Sequence, residues 1–256
     1  MIEWIHRESH GVGIAGLVLR RAEKRNALGI GLLEQLCLEM ESLAVDPVNR
    51  VVLLRGEGAV FSAGLDLHEA ADETLVERSA AGVARALHLL SASPLVTIAV
   101  VQGGAFAGGA GLMAACDIVV AAEDARIGFP EARRGLLPAL IGDVLRTRVR
   151  EGDLRDLLLT GTSIDAQRAR QVGLVQHIVP SSRLLDEALR ITREVLAGGP
   201  ETIRATKRLL SALYGRSDET AGQSMSDWHL EARRSEEARE GLRAFLEKRE
   251  PPWTVG

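Results

Sequence analysis

The sequence predicts an α/β fold, and two patterns carry that expectation. Short, continuous apolar runs rich in β-branched residues, Val51-Val52-Leu53-Leu54 and Val96-Thr97-Ile98-Ala99-Val100-Val101, match strands buried on both faces, and a third, Ile118 to Ala122, follows Asp117. Between them, apolar residues recur at helical spacing: Leu28, Leu32, Leu33, Leu36, Met40 and Leu43, then Val83, Leu87 and Leu90. Such alternation builds sheets covered by helices.

From about Leu184 the strand signals stop. Leu184-Leu185, Ala188-Leu189 and Val195-Leu196, then Ile203 to Leu213, then Trp228 to Leu246 predict a helical C-terminal third. Gly198-Gly199-Pro200 separates two of these helices, because glycine ends a helix readily and proline suits a first turn. Residues 215–223 form the most linker-like stretch. The charge run Glu231 to Glu250 reads as a solvated helix face with Leu242, Phe245 and Leu246 on one side. The expected division is a core over residues 1–183 and a helical region over residues 184–256.

At 256 residues the chain is long enough to bury a sizeable core. Lysine and arginine number 31 against 35 aspartates and glutamates, for a net charge of −4, which argues against a nucleic-acid partner. Hydrophobic residues at 46% exclude intrinsic disorder. Cys37 and Cys116 lie far apart without a CxxC spacing, which speaks against a disulfide framework or a cysteine zinc site and fits a reducing, cytoplasmic setting. Residues Met1 to Glu8 mix both charge signs, so no secretory signal is expected. Val96 to Cys116 runs without a charged side chain, but five glycines in it each cost about 1 kcal/mol against alanine in a helix, so it reads as strand, loop and helix, with no membrane partner.

GxxxxGK[ST], GxSxG and HExxH are all missing, and the histidines at 6, 10, 68, 88, 177 and 229 are scattered, so no metal centre is expected. Gly109-Ala110-Gly111-Leu112-Met113-Ala114 matches the loose GxGxxA form, yet loop residues intervene after Val101 and the segment lies mid-chain, unlike a dinucleotide site. The glycines instead suit a helix N-terminus whose backbone N–H groups come close to a negatively charged ligand atom. A second loop of small residues, Gly58 to Leu67, follows the first strand and also exposes backbone.

Together these segments resemble the enoyl-CoA hydratase/isomerase (crotonase) family over nearly the whole chain. The resemblance rests on six blocks in order: Arg21 to Leu28, Phe61 to Leu67, Gly103 to Asp117, Ile127 to Leu136, Gly161 to Pro180, and Glu240 to Arg249. It implies a crotonase-like spiral of ββα units followed by a helical trimerisation region, assembling as a homotrimer or dimer of trimers around an acyl-CoA thioester. Coenzyme A is then part of the substrate, and no separate cofactor is called for.

By position in the motifs, the resemblance places an oxyanion hole on the backbone N–H groups of Ala63 and Gly108. It places coenzyme A along Ala63, Gly64, Leu65 and Asp66 with Arg25 and Ala27 beside it. Phe245 and Lys248, from a neighbouring subunit, are expected over the adenine and the 3′-phosphate. Family hydratases pair two glutamates; one carries over to Glu131, and the other falls on Gly111. The dienoyl-CoA isomerase aspartate falls on Ala139. Glycine at 111, with Gly135 to Ile141, looks like methylglutaconyl-CoA-type bacterial hydratases. Hydration of a 2-enoyl-CoA is therefore expected, with a 3,2-trans-enoyl-CoA isomerase using Glu131 alone, or a non-catalytic CoA-binding homologue, as alternatives.

Overall fold

The computed structural model describes residues 2–214 and 235–254. The chain divides into two compact units, Met1–Leu189 and Arg190–Gly256. The division falls inside the helix that starts at Leu184.

In the first unit, β1 (Ile5–Ser9), β2 (Ile14–Leu19), β3 (Val51–Gly56), β4 (Val96–Val101), β6 (Ile118–Ala122) and β9 (His177–Val179) form one six-stranded sheet in that order. β1 pairs antiparallel with β2, and every later pairing is parallel. The three apolar runs of the sequence are adjacent strands of this sheet, and all six residues of β4 are buried. β5 (Gly104–Phe106), β7 (Arg126–Gly128) and β8 (Ile164–Asp165) make a second, three-stranded sheet. With two or three residues each, these strands are too short to show a period in the sequence.

Six helices complete most of this unit: α1 (Ile30–Val45), α2 (Leu67–Ala70), α3 (Val76–Ser91), α4 (Gly108–Ala115), α5 (Ala139–Leu145) and α6 (Glu151–Thr160). α7 (Ala166–Gln171) leads toward β9, and α8 (Leu184–Leu196) crosses the division. α1 buries Leu32, Leu33, Leu36, Met40 and Leu43, as their spacing predicts. Leu28 lies outside that helix and bridges to Leu65. Gly29 cannot cap α1 with a side chain, and the carboxylate of Glu69 does so from a distance, accepting from Ile30 N at 2.7 Å.

The second unit contains α9 (Pro200–Leu213) and α10 (Glu236–Glu247). Proline stands at the first turn of α9, and the Glu237 carboxylate of α10 accepts from Glu201 N and Thr202 N at 2.8 and 2.7 Å. The linker over 215–223 and the start of the helix predicted from Trp228 lie outside the described residues. Among the described residues no helix is long and apolar enough to cross a membrane; the uncharged stretch from Val96 resolves into β4, β5 and α4.

Candidate active site

Two loops of the first unit are stitched together by backbone bonds. Ala63 N donates to Arg25 O (2.9 Å), Leu28 N to Gly64 O (2.8 Å) and Asp66 N to Leu28 O (3.3 Å). Asn26, fully buried and at φ 51°, pins the turn: its amide accepts from Arg21 N and donates to Glu57 O and Val60 O. Ser62 Oγ donates to Asn26 O at 2.8 Å and accepts from Gly64 N at 3.2 Å. The structure thus brings Arg25, Ala27, Ala63, Gly64, Leu65 and Asp66 together.

Asp66 is held from beneath. Its carboxylate meets Arg21 Nη2 at 2.7 Å and accepts from His68 N, while Arg21 Nη1 donates to Ala27 O and its guanidinium lies 5.2 Å from the Trp4 ring centroid. Burial opposes ionisation of Asp66, but the hydrogen bonds from Arg21 and the α2 backbone outweigh it and hold the carboxyl below its ordinary range.

These bonds decide which backbone donors remain. The Ala63 N–H, expected to face substrate, is consumed by Arg25 O, and that expectation is corrected. Leu28 engages Gly64 and Asp66, so Leu65 between them turns its own N–H to the opposite side, as alternation along an extended segment requires. Neither Leu65 N nor Gly108 N has an acceptor among the described residues, and both residues line one cavity. Gly108 opens α4, whose first N–H groups have no intrahelical partner. The residue before it, Ala107, sits at φ 49°, a strained conformation for alanine, and donates its N–H to Gly128 O at 2.9 Å.

The cavity holds about 360 Å³ and is lined largely by apolar residues of α3, the α2 loop and the segment 136–141. Among the described residues, only Ser79, Glu131 and Arg134 bring polar side chains to its wall. Glu131 stands in the 3₁₀ turn Pro130–Arg134 and is 6% exposed. Both of its carboxylate oxygens are buried without a hydrogen-bond partner among the described residues. Burial pushes its pKa up, against smaller downward pulls from its own backbone N–H and then from the charge of Arg134. A buried carboxyl beside a cavity can exchange a proton with a bound group, and two N–H donors without acceptors among the described residues can stabilise negative charge on an oxygen.

Position 111 is crowded by apolar side chains. A Cβ there would stand 3.2 Å from Ile141 Cγ1 and 3.4 Å from Leu87 Cδ2, so hydrocarbon occupies the surroundings of that helix position. Two other titratable groups near these loops are engaged elsewhere: Glu69 caps α1, and the exposed Asp143 pairs with Arg146. Phe245 and Lys248 belong to the second unit, with Phe245 80% exposed and Lys248 left-handed at the end of α10. Sequence reasoning passed over Arg21 and Arg134. The spacing of Glu131 and Arg134 in the Pro130 turn was the only available signal for the latter.

The comparisons agree with this architecture. The family model for enoyl-CoA hydratase/isomerase matches residues 9–255, and the chain belongs to that family. A Thermus thermophilus relative bearing an enoyl-CoA hydratase name is 38% identical, over 93% of this chain and 96% of its own. An enoyl-CoA isomerase/hydratase of Mycosarcoma maydis is 32% identical, over 94% and 93%. The crystal structure of an enoyl-CoA hydratase from Bacillus anthracis superposes with a TM-score of 0.92 at 30% identity, covering 98% of this chain and 99% of that one. The fold is therefore the crotonase fold.

Proposed function

We propose that this protein hydrates 2-enoyl-CoA thioesters, with Glu131 as its single acid/base group. The observation that carries the reading is the Glu131 carboxylate, buried and without a partner in the cavity to which Leu65 and Gly108 bring unpaired N–H groups. The thioester oxygen accepts from those two donors, which draws electron density from C3. Glu131 takes a proton from water as the water oxygen bonds to C3. The C2=C3 electron pair moves into an enolate on the thioester oxygen. Glu131 then returns the proton to C2, leaving the 3-hydroxyacyl thioester. Each backbone donor aimed at such an oxyanion is worth about 2.7–4 kcal/mol.

Coenzyme A lies along Gly64 to Asp66 beside Arg25 and Ala27. Phe245 and Lys248 of an adjoining subunit in a trimer or hexamer reach its adenine and 3′-phosphate, lysine serving as a point charge. The hydrocarbon around Gly111 supports a cycle through one carboxylate, which also suits proton shuttling between C2 and C4 of a 3-enoyl-CoA. Incubating purified protein separately with 2-enoyl- and 3-enoyl-CoA thioesters, with product identification by mass and chromatography, separates the two reactions. Hydroxyacyl product from the 2-enoyl thioester is the expected result. Conversion of the 3-enoyl thioester alone would establish the isomerase, and CoA binding without α-proton exchange in heavy water would establish a non-catalytic homologue.

A further inference from the structure

We infer that Arg134 selects acyl groups carrying a carboxylate at the end remote from the thioester, so that the substrate is a short dicarboxylic enoyl thioester. The inference rests on the reading of the cavity as the acyl site. In a 3₁₀ turn, side chains three apart eclipse, so Glu131 and Arg134 project from the same face, about 6 Å apart along the axis. Arg133 between them is tied elsewhere, donating Nε–H to Thr160 O at 2.8 Å. The Arg134 guanidinium makes no ion pair or hydrogen bond among the described residues, although it is near enough to Glu131 to act on that carboxyl through space.

The rest of the cavity wall gives the cation its significance. Leu136, Leu137 and Leu140, beyond Arg134, are more than two-fifths exposed, and Val76 faces the same space from α3. An acyl chain extending along this hydrocarbon would meet a single positive charge among the described residues of the wall, that of Arg134. A carboxylate entering apolar surroundings requires a paired, hydrogen-bonded cation, and a planar guanidinium can meet it with two parallel N–H donors. An acyl chain ending in methyl leaves the guanidinium to water and gains nothing from it.

The test uses hex-2-enoyl-CoA and its analogue with the terminal methyl replaced by carboxylate, together with their saturated counterparts for binding. Losing a hydrogen bond between charged groups corresponds to about 10–100-fold. Arg134→Met should lower kcat/KM for the carboxylated thioester by that factor beyond any loss on hex-2-enoyl-CoA, with Arg134→Lys recovering part of the difference. Equal losses on both substrates would overturn the inference and make Arg134 a positioning residue acting through the charge on Glu131. Unchanged values on both would overturn it as well. The dissociation constants of the saturated thioesters, measured by calorimetry on wild type and Arg134→Met, read tail recognition without chemistry. Wild-type protein that binds the carboxylated thioester more tightly yet hydrates neither substrate would sink the hydratase reading while supporting this one.

Discussion

Gly64 and Ala107 stand back to back where the two loops of the site meet: a Cβ on Gly64 would lie 2.8 Å from Ala107 Cβ and 2.7 Å from Phe106 O. Gly64 also has φ 93°, a conformation that favours glycine. Gly64→Ala therefore faces both backbone strain and a clash with backbone that cannot rotate away. The expected cost is about 1–3 kcal/mol for the conformation alone, read as a lower unfolding midpoint, with most turnover lost because Leu65 N and Gly108 N no longer converge. A soluble variant with wild-type turnover would contradict this geometry.

Glu131→Gln keeps the shape of the side chain and removes the proton carrier. Turnover should fall by about 10²–10⁴-fold while binding of a saturated acyl-CoA changes little. The acid limb of the wild-type kcat/KM profile should lie above the ordinary glutamate pKa of about 4.3, because burial raises the carboxyl.

The same burial predicts a stability effect of definite sign. The folded protein binds the Glu131 proton more tightly than the unfolded chain, so stability falls as pH rises from the ordinary glutamate range through the raised folded value, and the penalty persists above it. Relative to wild type, Glu131→Gln should gain stability on going from about pH 4 to neutral pH. Denaturant midpoints at the two pH values provide the check; a constant difference between the proteins would count against a desolvated carboxyl.

Asp66 titrates in the opposite sense. Its lowered carboxyl stabilises the fold above the ordinary aspartate range, and that contribution is lost as pH falls through the folded value. Asp66→Asn removes the charge that meets Arg21 and should cost about 1.5–3 kcal/mol at neutral pH, with a rise in KM for acyl-CoA as the paired loops loosen. Arg21→Lys should reproduce part of the KM change, since one ammonium cannot serve both Asp66 and Ala27 O with the same planar fork.

Installing a second acid at position 111 should fail as a single change. Gly111→Glu presses on Ile141 and Leu87 and should destabilise by about 1–3 kcal/mol without increasing hydration. Combining it with Ile141→Ala opens the space, and the pair should recover stability and raise the hydration rate above that of either single variant. Comparing turnover and thermal midpoints of the four proteins isolates the coupling.

The sequence by itself determined the central strands, the long helices and the family. Burial on both faces leaves continuous apolar runs such as Val96 to Val101, and amphipathic helices leave the spacing seen from Leu32 to Leu43. The family resemblance pointed to Glu131 and Gly108, and the structure brings both to the wall of one cavity. Which second backbone N–H is open to the cavity was decided only in three dimensions. Ala63 and Leu65 are both small-loop or apolar residues to a reader of the sequence; the bond from Ala63 N to Arg25 O consumes the first N–H, and the pairing of Leu28 with Gly64 and Asp66 turns the second away, without an acceptor among the described residues. The cap that Glu69 places on α1 and the Arg21–Asp66 pair span 39 and 45 positions respectively, beyond any local pattern. Arg133 and Arg134 are equivalent in composition; the eclipsed geometry of the 3₁₀ turn anchors the first to Thr160 and leaves the second on the cavity wall with Glu131.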